Sequence, residues 1–387
     1  MKIALAADIS FSRFTEFPGK EAALAAMAQP ARLFAAADFS VINLETVFGK
    51  KDDHTPLLKS GPNLIALEEF IEYVDALAPS AVGLANNHTF DFGKSALDNT
   101  RRLLDERGYP YCGAGDNIAE AYRPVVFEKD GQRVAVIAVC ENEFGTAGED
   151  TAGSAGYDLT RVTAAIREVR ADGCLPIVFF HGGNEWYAVP SPGKVALYRH
   201  FIDIGAAAVI AMHTHCPQGY EMYNGSPIVY SMGNFFFPRK DAAPAASWYY
   251  GYITLLDIGA DGIGLEIVPY TFDFDAVRLL DGEEKAQFMR YLEHISGIIA
   301  DPVLLREFFD SWCVQSYVAP LIYGLESPQD ADEPIPTRLV QIKNVFSCEA
   351  HNELVTNTFK MMYEGRMKTA GKHLEHIKAL QNMRIPE

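Results

Sequence analysis

The chain has 387 residues, which at roughly 150 residues per domain allows two or three domains and at least one large hydrophobic core. Hydrophobic residues make up 49% and charged residues 22%, the balance of a globular chain and not of a disordered one. With 33 Lys and Arg against 51 Asp and Glu, the formal charge is −18; a surface of that sign repels nucleic-acid backbones and anionic membranes, which argues against DNA or RNA as a partner.

Along the chain, short apolar runs alternate with longer amphipathic stretches, and each run ends on a polar residue with chemical potential. Residues 2–7 lead to Asp8, and a helical stretch at 22–37 follows. The run 39–44 leads to Glu45, with a helical stretch at 64–77 behind it. The run 81–85 leads to Asn86, Asn87 and His88, before a helical stretch at 94–107 closed by Gly108. The run 134–139 leads to Cys140 and Glu141, and a helical stretch at 159–171 ends at Gly173. The runs 176–180, 206–212 and 228–232 lead to His181, to His213 and His215, and to Asn234. Runs of this length read as buried strands, and the intervals leave room for crossover helices, so the prediction is an α/β fold.

From about Asp281, Phe288, Tyr291, Leu292, Ile295 and Ile299 recur at helical spacing, and similar stretches continue to Lys378. The proline- and acid-rich segment 327–336 reads as an exposed loop. The expected organisation is an α/β domain at 1–275 and a helical region at 276–387. The first apolar run is too short for a signal-peptide core, and no run reaches the roughly 18 apolar residues of a membrane span. The six cysteines show no zinc or redox spacing and are expected to be reduced and mostly buried. Together these predict a cytoplasmic, soluble protein.

In open α/β sheets, ligands gather beyond the carboxyl ends of the strands, so the polar strand ends are candidates for one shared cleft. His213 and His215 are two residues apart, and in an extended chain such residues point to the same side. An H-x-H pair alone is a weak signal, since a buried histidine satisfied by a backbone carbonyl is the ordinary alternative. His181 adds a third imidazole with Gly182 and Gly183 behind it, and Asp8 and Glu45 add carboxylates. Mixed nitrogen and oxygen donors suit zinc, manganese, iron or similar divalent ions. Asn87 can ligate through its carbonyl oxygen while the adjacent His88 faces substrate as a proton donor or charge stabiliser.

The order Asp8, Glu45, Asn87-His88, His181, His213-x-His215 resembles the metallophosphoesterase layout, and more closely the CapA family of capsule and poly-γ-glutamate biosynthesis proteins. The phrases that carry the resemblance are residues 41–45, 84–88 with Asp91 and Gly93, 181–187, 213–215 with Gln218 and Glu221, and 228–237. It implies a layered α/β metallophosphoesterase-like sandwich followed by a C-terminal helical region. It also implies one or two divalent ions, with manganese, zinc, iron and calcium as candidates. Asp8 and His215 would hold one ion, Asn87, His181 and His213 the other, with Glu45 between them and His88 as the acid or charge stabiliser. Ser10 stands where the wider superfamily has a histidine ligand, which weakens the first ion's site. Asn43, Asn86, Glu185, Asn234 and Arg239 are candidates for supporting these groups or touching substrate.

The implied activity is hydrolysis of a phosphate ester or diester on a small-molecule or polymer substrate. Two alternatives stay open: handling of polyglutamate or capsule-polymer amide bonds, and a catalytically silent scaffold. Capsule proteins of the family typically carry an N-terminal membrane anchor, whereas no span is expected here.

Overall fold

The computed structural model describes residues 1–239, 245–315 and 337–386; the loop expected at 327–336 lies outside them. β1 (Lys2–Ile9) is apolar at most positions and buried from its second residue onward, as a strand covered on both faces must be. It is followed by α1 (Lys20–Ala36), β2 (Phe39–Leu44), the short β3 (Val47–Phe48) and β4 (Ile65–Ala66), α2 (Ile71–Leu77), β5 (Ala81–Gly83), α3 (Gly93–Glu106) and β6 (Tyr111–Cys112). β1, β2, β5 and β6 lie side by side and parallel.

The helix expected at 64–77 is shortened at its start. Ile65 and Ala66 pair instead with Val47 and Phe48, and the Leu64 amide donates to Asp91 Oδ2 at 2.6 Å. Tertiary partners thus take up backbone groups that a first helical turn would leave unpaired.

The second half repeats the plan with β7 (Ala114–Gly115), α4 (Ile118–Ala121), β8 (Val125–Lys129), β9 (Gln132–Cys140), β10 (Gly153–Ser154), α5 (Leu159–Ala171), β11 (Leu175–His181), α6 (Pro192–Asp203), β12 (Ala208–Met212), β13 (Tyr220–Tyr223) and β14 (Ser226–Val229). Six of these strands form a sheet ordered β13-β14-β12-β11-β9-β8. Its four inner strands are parallel and its two edges antiparallel. Gly108 and Gly173 follow α3 and α5 at φ 71° and 75°, the left-handed helix ending that glycine takes without a Cβ penalty.

The chain then returns to the first sheet. β15 (Asn234–Phe236) runs parallel to the end of β1, and β16 (Tyr250–Gly259), β17 (Gly262–Phe272) and β18 (Val277–Leu279) extend the sheet antiparallel, in the order β18-β17-β16-β1-β2-β5-β6. The two sheets face each other closely: a Cβ on Gly83 of β5 would stand 3.0 Å from the ring of Phe179 on β11. One apolar core runs through both sheets, from Ile3, Val41 and Val82 to Val136, Val178 and Ile210. The architecture is the layered α/β sandwich expected from the sequence.

Just beyond β18 come α7 (Gly282–Ala300), α8 (Pro302–Gln315) and the helices Thr337–Ser347, Glu349–Tyr363 and Leu374–Gln381. Phe288, Tyr291, Leu292, Ile295 and Ile299 form the buried face of α7, as their spacing predicts. Trp312 of α8 stacks on Tyr187 at 4.9 Å, and Ser296 Oγ of α7 accepts the Tyr220 amide at 3.0 Å. Glu353 accepts the Ser191 hydroxyl at 2.5 Å and the Gly193 amide at 2.7 Å, where α6 begins. The helical region is therefore packed against the second half of the sandwich. Among the described residues no helix is long and apolar enough to cross a membrane. All six cysteines are buried and free.

Candidate metal centre and its cleft

Asp8 closes β1, Glu45 follows β2, the loop 84–92 with Asn86, Asn87 and His88 follows β5, His181 closes β11, His213 follows β12, and Asn234 opens β15. The parallel strands deliver all of these to one end of the sandwich. At Asp8 the pairing of β1 shifts register against both β2 and β15, an irregularity that re-aims a side chain at a strand end. The Asp8 carboxylate accepts from Asn43 Nδ2 at 2.6 Å and from the His213 backbone amide at 3.0 Å, which ties the two sheets together at the site.

Two groups of side chains bring donor atoms within 4.8 Å of one another: Glu45, His181 and His213, and Asp8, Glu45 and His215. Glu45 belongs to both. His181 Nε2 lies 3.4 Å from Glu45 Oε1 and 3.6 Å from Asp8 Oδ1, and the His181 and His213 rings are 4.5 Å apart. Both oxygens of Glu45, His181 Nε2, His213 Nδ1 and Asn87 Oδ1 are buried without a hydrogen-bond partner. Buried polar atoms are nearly always paired, so the four orphaned atoms of Glu45, His181 and His213, which share one donor group, fit a divalent cation.

The charge states point the same way. Burial, reinforced by the neighbouring Glu45 charge, pushes the Asp8 carboxyl well up, and burial pushes Glu45 up to about 8. Burial holds His181 well below the usual imidazole range and His213 at about 4. Neutral imidazoles beside carboxylates that need a counter-charge are the ligand set such an ion takes. His215 Nδ1 donates to Asn234 Oδ1 at 2.7 Å, and Asn234 in turn donates to the Trp248 carbonyl at 3.1 Å. This leaves His215 Nε2 as the lone-pair nitrogen, the orienting contact typical of ligating histidines.

His88 is held differently. Its Nδ1 donates to Asp91 Oδ2 at 2.6 Å, Asp91 is ion-paired with the buried Lys59, and Nε2 faces Glu45 Oε1 at 3.9 Å. Burial and the Lys59 charge lower the His88 pKa. Asn86 supports this loop: it donates to the Leu44 carbonyl at 2.9 Å and accepts the His88 amide at 3.1 Å. Asn87 donates to Glu143 Oε2 at 2.6 Å.

His213 and His215 do not lie in an extended strand, contrary to expectation. β12 stops at Met212, and the two histidines have φ of 99° and 56°, so the chain turns rather than alternates. Both imidazoles reach the site because left-handed backbone aims them there, at a cost on the order of 1–3 kcal/mol each, which is typical of functional loops. Glu141, one of the polar strand ends, is absent from these groups; it is ion-paired with Lys194 and accepts the Gly183 amide at 2.9 Å. Ser10 is buried with its hydroxyl 3.2 Å from that of Ser12. Glu185 Oε1 lies 3.9 Å from His215 Nε2.

A cavity of about 430 Å³ opens over the site, with Asn87, His88, Glu185 and His215 in its wall. Arg13, Lys59 and Arg239 bring cations to the same wall, and the Arg239 guanidinium stacks over Trp248 at 4.8 Å. Asn344 and His351, from the C-terminal helices, line the far side. Arg13, Lys59, Glu143 and His351 escape the sequence reading. Glu143 follows shortly after a strand end and is reachable by the same rule that finds Glu45; the other three have no local signature.

A family model described as bacterial capsule synthesis protein PGA_cap matches residues 4–239, more than half of the chain. The chain belongs to the bacterial capsule synthesis protein family. Similar curated proteins of that kind include the capsule biosynthesis protein CapA of Bacillus anthracis, 29% identical over 192 residues, or 47% of each chain. A probable polyglutamine synthesis accessory protein of Mycobacterium tuberculosis is 29% identical over 216 residues, 51% of this chain and 55% of that one. The PGA biosynthesis protein CapA of Bacillus subtilis is 24% identical over 210 residues, 54% and 55% of the two chains. The chain spans about half the length of the curated relatives it matches. Among solved structures, TT1561 of Thermus thermophilus aligns with a TM-score of 0.37 and 13% identity over 69% of this chain and 98% of that one. The PGA_cap segment holds every residue of the two donor groups around Glu45, and the C-terminal helices lie outside it.

Proposed function

We propose that this family member is a metal-dependent hydrolase of the metallophosphoesterase type, cleaving a phosphate ester or diester. The observation that carries the reading is the pair of donor groups joined through Glu45, their buried atoms unpartnered, with His88 aimed at the same point. Asp8, Glu45 and His215 would hold one divalent ion, and Glu45, His181, His213 and Asn87 a second. Bound there, such ions supply Lewis acidity and an activated water.

The chain's own groups do the rest. Asp91 fixes the His88 tautomer, so that Nε2 is the atom that passes or holds a proton at the reacting centre. Arg13 and Arg239 draw an anionic group into a cleft on an otherwise acidic molecule. Residues 1–275 would form the catalytic unit, and 276–387 would complete the cleft wall with Asn344 and His351. Six free buried cysteines support a reducing, cytoplasmic setting. The family's association with capsule and polyglutamate synthesis favours a second reading, in which the same ions serve a polymer amide bond.

The test is a panel of chromogenic phosphomonoesters and phosphodiesters assayed with manganese, zinc, iron and calcium, on protein purified without chelator. His88→Ala should keep its metal and lower turnover by roughly 10²–10⁴-fold, the usual worth of a general acid or base. His213→Ala should lose metal and activity together. A metal-replete parent that turns over no phosphate ester moves the polymer reading forward, and a parent that binds no metal leaves a silent scaffold.

A further inference from the structure

A further set of donor side chains lies outside the groups joined by Glu45. Glu143 follows β9, Cys348 is the residue before the helix Glu349–Tyr363, and His351 stands in that helix's first turn. One donor atom from each lies within 4.8 Å of the others. Two ligands of a tetrahedral zinc stand roughly 3.3–3.8 Å apart, given bonds of about 2.0–2.3 Å, so ordinary side-chain adjustment brings these three onto one ion.

Each group has a donor to spare. Glu143 gives one oxygen to Asn87 at 2.6 Å and turns the other towards His351 Nδ1 at 3.9 Å. The buried Cys348 sulfur lies 3.8 Å from Glu141 Oε2, and Glu141 is already balanced by Lys194. Beside them, Asn344 holds its amide nitrogen 3.3 Å from His351 Nδ1, while its own Oδ1 is buried without a partner. A buried amide oxygen left unpaired in the residue that touches His351 adds an unsatisfied acceptor beside the three-residue group.

We infer that Glu143, Cys348 and His351 form a separate divalent-metal site of the zinc type, at the seam between the sandwich and the C-terminal helices. A thiolate selects zinc over manganese or calcium. On binding, the Cys348 thiol gives its proton to solvent and a sulfur–metal bond forms, with no change of oxidation state. The ion would fix Glu143, and through it the Asn87 amide, so that docking of the helices is tied to the order of the main cleft. This site stands whether or not the main cleft hydrolyses phosphate esters.

Zinc is counted in the loaded full-length chain, and cobalt is substituted to read the thiolate-to-cobalt charge-transfer band in the near ultraviolet. The main cleft holds no thiol among its proposed ligands, so the band reports on Cys348. The parent should show it, Cys348→Ser should lose it together with one zinc per chain, and His213→Ala should keep it. Absence of the band in the parent, its survival in Cys348→Ser, or its loss in His213→Ala would each overturn the separate site. Should Cys348→Ser fail to fold, His351→Ala at the partly exposed helix start decides: one zinc fewer supports the site, and an unchanged count with an unchanged band removes it.

Discussion

Asp91 serves two partners at once, orienting His88 through Oδ2 and answering the charge of buried Lys59 through Oδ1. Asp91→Asn keeps the shape and removes the charge. It should lower kcat by about 10²-fold, the low end for an acid–base group, with metal content unchanged. It should also cost about 3–5 kcal/mol of stability, because a buried lysine is left unpaired; urea melts and metal analysis separate the two effects. A variant as active and as stable as the parent would remove the His88–Asp91 pair from the mechanism.

The buried carboxylates and imidazoles of the site also give stability a pH signature. Between 4.5 and about 8 the folded chain keeps a proton on Glu45 that the unfolded chain lacks, so this contribution falls as pH rises. Asp8 acts in the same sense. His213 acts oppositely between about 4 and 6.5, where only the unfolded chain is protonated. Above 6.5 the carboxylates stand alone, so chelator-treated protein should show a falling Tm from pH 6.5 to 8. Added divalent ion should raise Tm more at pH 8, where it competes with fewer protons; a rising Tm of chelated protein across that window contradicts the assignment. The residues behind this signature are legible because each is a polar group set directly after an apolar run. Lys59 and His351 are not, because a loop and a helix from distant parts of the chain carry them in, and only tertiary packing decides where they end.

At the scale of elements, strand positions are the most readable, since buried parallel strands leave continuous apolar runs. The start of α2 departs from its periodicity because pairing of Ile65 and Ala66 with β3 depends on a neighbour that a local pattern does not record. The long hairpin of β16 and β17 adds two strands to the first sheet beyond those expected from the sequence. One tight contact controls the loop 84–92: Gly113, between β6 and β7, has φ 94°, and a Cβ there would stand 2.5 Å from the Ala85 amide nitrogen. Ala85 leads directly into Asn86, Asn87 and His88. Gly113→Ala should therefore cost about 1–3 kcal/mol from overpacking alone, measured by denaturant melts, and should weaken metal binding by displacing Asn87. Unchanged melts and unchanged affinity would show that the loop is set elsewhere.

For the molecule as a whole, the formal charge of −18 and the cations of the cleft act in opposite directions. The acidic exterior discourages polyanions at a distance, whereas Arg13 and Arg239 place positive charge in the cleft wall. The helices outside the family-matched segment furnish part of that entrance, so the cleft is a property of the full chain. The match to the family ends at Arg239, yet β1, which carries Asp8, is covered on one side by β16, which pairs with it from Lys2 to Leu5. A fragment cut at residue 239 would bare a row of unpaired amides and carbonyls along β1, a strand buried from its second residue onward, and so a template for joining other copies edge to edge. Such a fragment should sediment as aggregate after expression, and extending it through Leu279, so that β16 to β18 return, should raise the soluble fraction. The stretch most easily recognised by descent is therefore a poor unit for production, because the strand that keeps it from sticking to itself lies downstream.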